Sequence, residues 1–150
     1  MNTFKKAAVE TCRQLLERRI SDLQENMRAL AEAAAMDSKS TAGDKHETAR
    51  AMVQLDQERT GQQLKEAEQQ LSDFRKIDFQ KTISLVSPGS LVQTDNGWFL
   101  IAQALGKIQV EEQAVFVISI QAPLGKAFSG AKQKDTVVFN GVSYQMLSIR

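Results

Sequence analysis

One cysteine in 150 residues, Cys12, excludes an internal disulfide and a cysteine-only metal site. Its place on an apolar helical stripe reads as a small buried core residue rather than a reactive thiol. Prolines number two, Pro88 and Pro123, and only Gly43 and Gly61 precede Gly89, so most of the first half is free of helix breakers. Neither sign of charge predominates. The net charge is +1, with no Lys/Arg-rich run and no interleaving of basic and aromatic residues. That argues against binding nucleic acid mainly through the chain's own phosphate contacts, so any such role comes through a partner. No window approaches the roughly 20 apolar residues of a membrane span, and Glu10 interrupts the N-terminal stretch before it reaches signal-peptide length. No membrane association and a cytoplasmic location are the expectations.

The charges that are present divide unevenly. Residues 1–76 carry 13 Lys+Arg and 13 Asp+Glu, whereas residues 77–150 carry 6 and 5, together with six of the eight glycines. A charged, solvated first half and a more apolar second half place a domain boundary near Ile77 to Ser84, giving domains at 1–76 and 77–150.

In the first half, Leu16, Ile20, Leu23, Met27, Leu30 and Ala34 alternate in four-three spacing, and Val9 and Cys12 extend the seam backward. A helix from about Thr3 to Met36 follows, with a length of about 50 Å at 1.5 Å per residue. A second segment, from about Asp44 to Arg75, carries the seam Leu64, Ala67, Leu71 and Phe74, which weakens backward through Thr60, Gln57, Val53 and Arg50. Gly61 costs this helix about 1 kcal/mol relative to Ala and marks a soft spot. The polar turn from Asp37 to Gly43 has the length that joins antiparallel neighbours. An antiparallel coiled-coil hairpin, monomeric, is predicted, with its tip near residues 37–50.

At that tip Asp44 and Glu47 lie three apart, which on a helix puts them on one face about 5 to 6 Å apart. This spacing suits one hydrated Mg²⁺, a hard cation that takes one or two carboxylates and keeps waters and phosphate oxygens. A helix N-terminus favours negative charge by about 0.3–1 kcal/mol. Asp-x-x-Glu at a helix start equally fits a capping box, in which Asp44 accepts from the N–H at 47 and Glu47 reaches back to the N–H at 44. On spacing alone both readings stand. His46 reads as a solvent-exposed tip residue, and Lys45 and Arg50 as surface charges.

In the second half the period shifts toward 2. Ser90–Thr94 and Gly97–Ala102 flank the turn signal Asp95-Asn96-Gly97. Ala114–Ile120 reads as a central strand, Ala122–Phe128 as a single helical turn opened by Pro123, and 135–139 and 142–149 as strands joined by Asn140-Gly141. The fold class is α+β: the helical hairpin, then a small antiparallel sheet with one short helix. No nucleophile–base pair, metal cluster or phosphate loop is evident in this half.

Several motifs in order resemble the Gre family of bacterial transcription elongation factors over nearly the whole chain. Ala122-Pro123-Leu124-Gly125-Lys126-Ala127, followed by Ser129-Gly130-Ala131-Lys132-Gln133-Lys134-Asp135-Thr136-Val137, is similar to a signature of that family's C-terminal domain. Pro88–Val92 and Tyr144–Ile149 resemble its first and last strands, and Gly43-Asp44-x-x-Glu47-x-Ala49 resembles its acidic tip loop. The resemblance implies an FKBP-like domain that docks on bacterial RNA polymerase, with Pro123, Leu124 and Gly125 in the docking region. It further implies that Asp44 and Glu47 enter the polymerase secondary channel. There they would help hold a Mg²⁺ that neither binds tightly in the free protein, so that the polymerase, not this chain, cleaves the 3′ end of a backtracked transcript.

Nascent RNA would be met only inside that channel. Thr48 stands where the family has Asn, Ala51 where an aromatic is expected, and Ser40 and Leu55 where arginines flank the tip, with Lys39, Lys45 and Arg50 as substitute cations. These departures bear on the strength of cleavage stimulation rather than on polymerase binding. The rival functions are a polymerase-binding regulator that does not stimulate cleavage, a coiled-coil chaperone or peptidyl-prolyl isomerase, and a structural coiled coil that dimerises.

Overall fold

The structure, a computed structural model, describes the backbone at residues 2–37 and 44–150 and the side chains at 2–36 and 47–150. Two long helices come first, α1 (Thr3–Asp37) and α2 (Asp44–Arg75), as the unbroken periodicity predicts. The predicted Asp37–Gly43 turn falls at 38–43, outside the described residues. Six strands and a short helix follow: β1 (Leu91–Thr94), β2 (Gly97–Ile101), β3 (Gly106–Val110), β4 (Gln113–Ile118), α3 (Pro123–Phe128), β5 (Thr136–Phe139) and β6 (Val142–Ile149). The class is α+β. The chain divides into two compact units, one made of Leu15–Ser72 and the other of Met1–Gln14 with Asp73–Arg150.

Within Leu15–Ser72 the helices run antiparallel. The Arg19 guanidinium donates to the Gln70 amide oxygen at 3.4 Å, Asn26 to Leu30 border a groove with Asp56 to Thr60, and Ala34 borders another with Arg50 to Gln57. Rising numbers on α1 thus meet falling numbers on α2. Ile20, Leu23, Met27, Leu30 and Ala34 are all half-buried on one stripe, which confirms the four-three seam.

In the other unit the sheet order is β3-β4-β2-β1-β6-β5. Four of its five pairings are antiparallel, as the turn signals predict, but β2 and β4 run parallel, with Trp98 beside Val115 and Ile101 beside Ile118. The cause is β3, a strand the sequence reading did not assign. The chain leaves β2, reverses to form β3 at the outer edge, and reverses again at Glu111-Glu112, so that β4 is inserted between β3 and β2.

One sheet face carries Val92, Phe99, Ile101 and Met146, on which Phe128 of α3 is packed with no exposure, and Leu124, Val137 and Tyr144 close the margin. On strands, residues two apart share a face, so Leu100, Val115 and Val117 belong to the opposite face and are also buried. Here the helix ends contribute. Phe4 packs on Trp98 with ring centroids 4.7 Å apart, and Phe74 packs on Phe79 at 5.2 Å. Lys5 is only 3% exposed, and its ammonium donates to the Arg150 carbonyl oxygen at 2.9 Å. Burial lowers the pKa of Lys5, an effect that the nearby Asp78 carboxylate opposes.

Cys12 is buried without exposure, and burial pushes its thiol pKa up to about 12, so it is the inert core residue that its stripe predicts. The native protein should therefore give no reaction with a thiol reagent at pH 8 and one equivalent after unfolding in urea. Fast native labelling would contradict this packing.

Two tight turns in the sheet unit allow an internal comparison. Asn140 and Gly141 join β5 to β6 with φ of 50° and 77°, the left-handed pair that a two-residue hairpin turn prefers to fill with Asn-Gly. Glu111 and Glu112 join β3 to β4 with φ of 50° and 67°, the same geometry with two side chains that resist it. Glu111→Asn with Glu112→Gly should therefore raise the free energy of unfolding by about 1–3 kcal/mol. Urea denaturation of the two proteins checks this, and an unchanged or lower midpoint would count against the strain.

Candidate functional site

The candidate site is the first turn of α2. Because the helix begins at Asp44, both acids of Asp44-x-x-Glu47 fall within its first turn, at the end where backbone N–H groups lack helical acceptors. The Glu47 side chain is exposed. The side chains of Asp44, Lys45 and His46, and the whole of Lys39, lie outside the described residues, as do the predicted capping contacts of Asp44. Thr48, next to Glu47, and Arg50, three residues on, are exposed, and Arg50 borders a groove of about 240 Å³ shared with Ala34, Val53 and Gln57.

The donor set decides what such a turn can hold. Carboxylate oxygens are hard ligands suited to Mg²⁺, and an exposed Glu47 leaves room for water and phosphate in the same coordination shell. Two carboxylates fill only part of an octahedral shell. Among the described residues no group of three or more His, Cys, Asp or Glu side chains converges to hold a metal. The described part of the turn, the exposed Glu47 carboxylate, is of the donor type that Mg²⁺ takes and is by itself at most a fraction of its shell.

The second candidate region is Pro123-Leu124-Gly125. Pro123 opens α3 and is exposed, Leu124 is half-buried against the core, and Gly125 is buried. A Cβ on Gly125 would lie 2.0 Å from the Ser119 carbonyl oxygen and 2.9 Å from the Ile120 Cα. Glycine is therefore required so that α3 can lie against the 119–120 backbone. Of these three side-chain positions, Pro123 faces solvent directly.

Four aromatic side chains that lie far apart in sequence come together in the sheet unit. Phe99 meets Phe128 at 5.1 Å, Tyr144 at 5.7 Å and Phe116 at 5.7 Å, and Phe128 meets Tyr144 at 5.1 Å. These rings fill space against one another. Alternate residues on three different strands and α3 carry them, a convergence that only the strand order reveals. Buried Lys5 was likewise missed, since a lysine in the first turn of a charged helix carries no sequence signal of burial.

Among the described residues no helix is long and apolar enough to cross a membrane. No protein-family model matches the chain, and no curated protein does either. The solved structure of the transcription factor Gfh1 is similar to it at 19% identity, over 96% of this chain and 94% of that chain, with a TM-score of 0.35.

Proposed function

We propose that this protein is a Gre-like transcription factor that binds bacterial RNA polymerase, places the tip of its helical hairpin in the secondary channel, and stimulates cleavage of backtracked transcripts by the polymerase itself. One observation carries the reading: an Asp-x-x-Glu pair occupies the first turn of α2 in an antiparallel two-helix hairpin, with Glu47 open to solvent. The ordered motifs at 43–49, 88–92 and 122–137 support it.

In this reading Asp44 and Glu47 are the residues that act at the reaction centre, and they do so by placing carboxylate oxygens where the polymerase already presents acidic groups and RNA phosphates. Magnesium bound between the two proteins would supply Lewis acidity for phosphodiester hydrolysis. Lys39, Lys45 and Arg50 neutralise transcript or polymerase charge around the acids. The sheet unit docks on the polymerase through the surface that includes Pro123. Leu124 and Gly125 shape that surface from beneath. The chain acts as a monomer in the cytoplasm and meets nascent RNA only within the channel.

Purified protein added to backtracked elongation complexes of the cognate polymerase with Mg²⁺ should shorten the labelled transcript from its 3′ end. Polymerase binding without shortening would replace cleavage stimulation by a blocking role. Failure to bind polymerase at all would remove the transcriptional reading.

A further inference from the structure

We infer that the hairpin is built from two segments of unequal stability: a closed base, and an outer half spanning Leu23 to Ala34 on α1 and Val53 to Leu64 on α2 that opens on its own while the rest of the fold stays native. This inference holds whatever the tip binds.

Burial gives the first reason. At the base of the Leu15–Ser72 unit, Leu16 is 1% exposed, Ala67 1% and Leu71 7%. Among the described residues none of α1 from 17 to 36 and none of α2 from 47 to 66 reaches that burial. Because helix pairs in water are held mainly by the apolar face they bury, the outer half lacks most of what closes the base.

The outer seam is also chemically inverted. Gln57 and Thr60 occupy its inward positions, half-buried, while Met36, Met52 and Leu55 stand 73%, 57% and 48% exposed. Two grooves of about 360 and 240 Å³ follow one another between the helices of the outer half. Polar side chains contribute to both: Asn26 with Asp56 in the first, and Gln54 with Gln57 in the second. Water can enter such grooves, so separating the helices there exposes little new apolar surface.

The backbone weakens this stretch further. Gly61 sits in this stretch with nothing within 4 Å of where a Cβ would lie, so its absent side chain serves no close packing and simply weakens the helix. Arg28 pairs with Glu25 and Glu32, and Arg59 with Asp56, each along its own helix and each exposed. Such pairs support single helices and do not themselves bridge the two. Segments with few buried apolar contacts open at lower free energy than the global unfolding of a protein.

Hydrogen exchange of the full chain under native conditions, read by mass spectrometry, tests the division. Amides in 23–36 and 50–62 should exchange about 100-fold faster than those in 5–16 and 67–74. Filling the seam with Gln57→Leu and Thr60→Leu should slow the outer amides by roughly 10-fold or more and leave the base unchanged. Equal protection of outer half and base in the wild-type protein overturns the inference, as does a natively helical double variant whose outer amides exchange at the wild-type rate. If the double variant fails to fold, the wild-type comparison decides alone.

Discussion

Gly125→Ala should destabilise the sheet unit by about 3 kcal/mol or more, the upper range for forcing an atom into a filled site. The cost comes from space rather than from backbone conformation, since Gly125 is not among the glycines with positive φ. Its added Cβ would stand 2.0 Å from the Ser119 carbonyl oxygen and 2.9 Å from the Ile120 Cα. Both obstacles are backbone, so no rotamer change relieves them. To make room α3 must lift, and with it Phe128, which has no exposure and packs edge-on against Phe99 at 5.1 Å. Gly61→Ala is the matched control. With nothing within 4 Å of its new Cβ, it should instead stabilise α2 by about 1 kcal/mol. Urea denaturation followed by Trp98 fluorescence and helical circular dichroism measures both. A Gly125→Ala protein within about 0.5 kcal/mol of wild type would show that α3 is less closely seated than the structure has it.

The largest functional effect is expected at the tip. Asp44→Ala with Glu47→Ala should reduce transcript shortening by roughly 100-fold or more, the scale of removing groups that stabilise charge at a reaction centre. Polymerase affinity should remain within a few fold if docking runs through the sheet unit, as proposed above. Loss of the cap alone would cost about 1 kcal/mol, too little to unfold a helix of 32 residues whose far end is anchored by Ala67, Leu71 and Phe74. A variant that binds polymerase as wild type does and still shortens the transcript at the normal rate would remove these carboxylates from the mechanism.

Helix periodicity was the most legible part of the sequence. Thirty-five residues without Pro or Gly left little alternative to α1, and the graded seam of α2 foretold the fall in burial from Phe74 to Val53. Short strands flanked by strong turn dipeptides were equally plain. The β1–β2 turn is held as its residues suggest, with Thr94 Oγ1 accepting from the Asn96 N–H at 3.0 Å and Asp95 accepting from the Gln145 N–H at 2.8 Å. β3 was missed although Lys107-Ile108-Gln109-Val110 alternates at period 2, because the turn that follows is Glu-Glu rather than a residue pair suited to left-handed backbone. That one concealed turn also hid the parallel β2–β4 pairing, which depends on where β3 lies.

The candidate site was legible differently. Spacing alone put Asp44 and Glu47 on one helical turn, and the start of α2 at Asp44 agrees. What spacing could not separate was a metal-binding pair from a helix cap, since both require carboxyl groups three apart at a helix start. The fate of Gly125 was hidden for a further reason. A motif residue at a presumed docking surface and a glycine demanded by close backbone approach look the same in one dimension.

Substituting Asp44→Asn alone separates cap from metal ligand most directly, because Asn caps a helix as well as Asp does but brings no carboxylate. Backtracked complexes should be mixed with wild type or the variant across a range of Mg²⁺ concentrations, and the rate of transcript shortening followed. The variant hairpin should stay within about 1 kcal/mol of wild-type stability, and its stimulation should be lost at Mg²⁺ levels that saturate the wild type. Wild-type rates from the Asn variant at every Mg²⁺ concentration would contradict it and leave Asp44 as a structural cap.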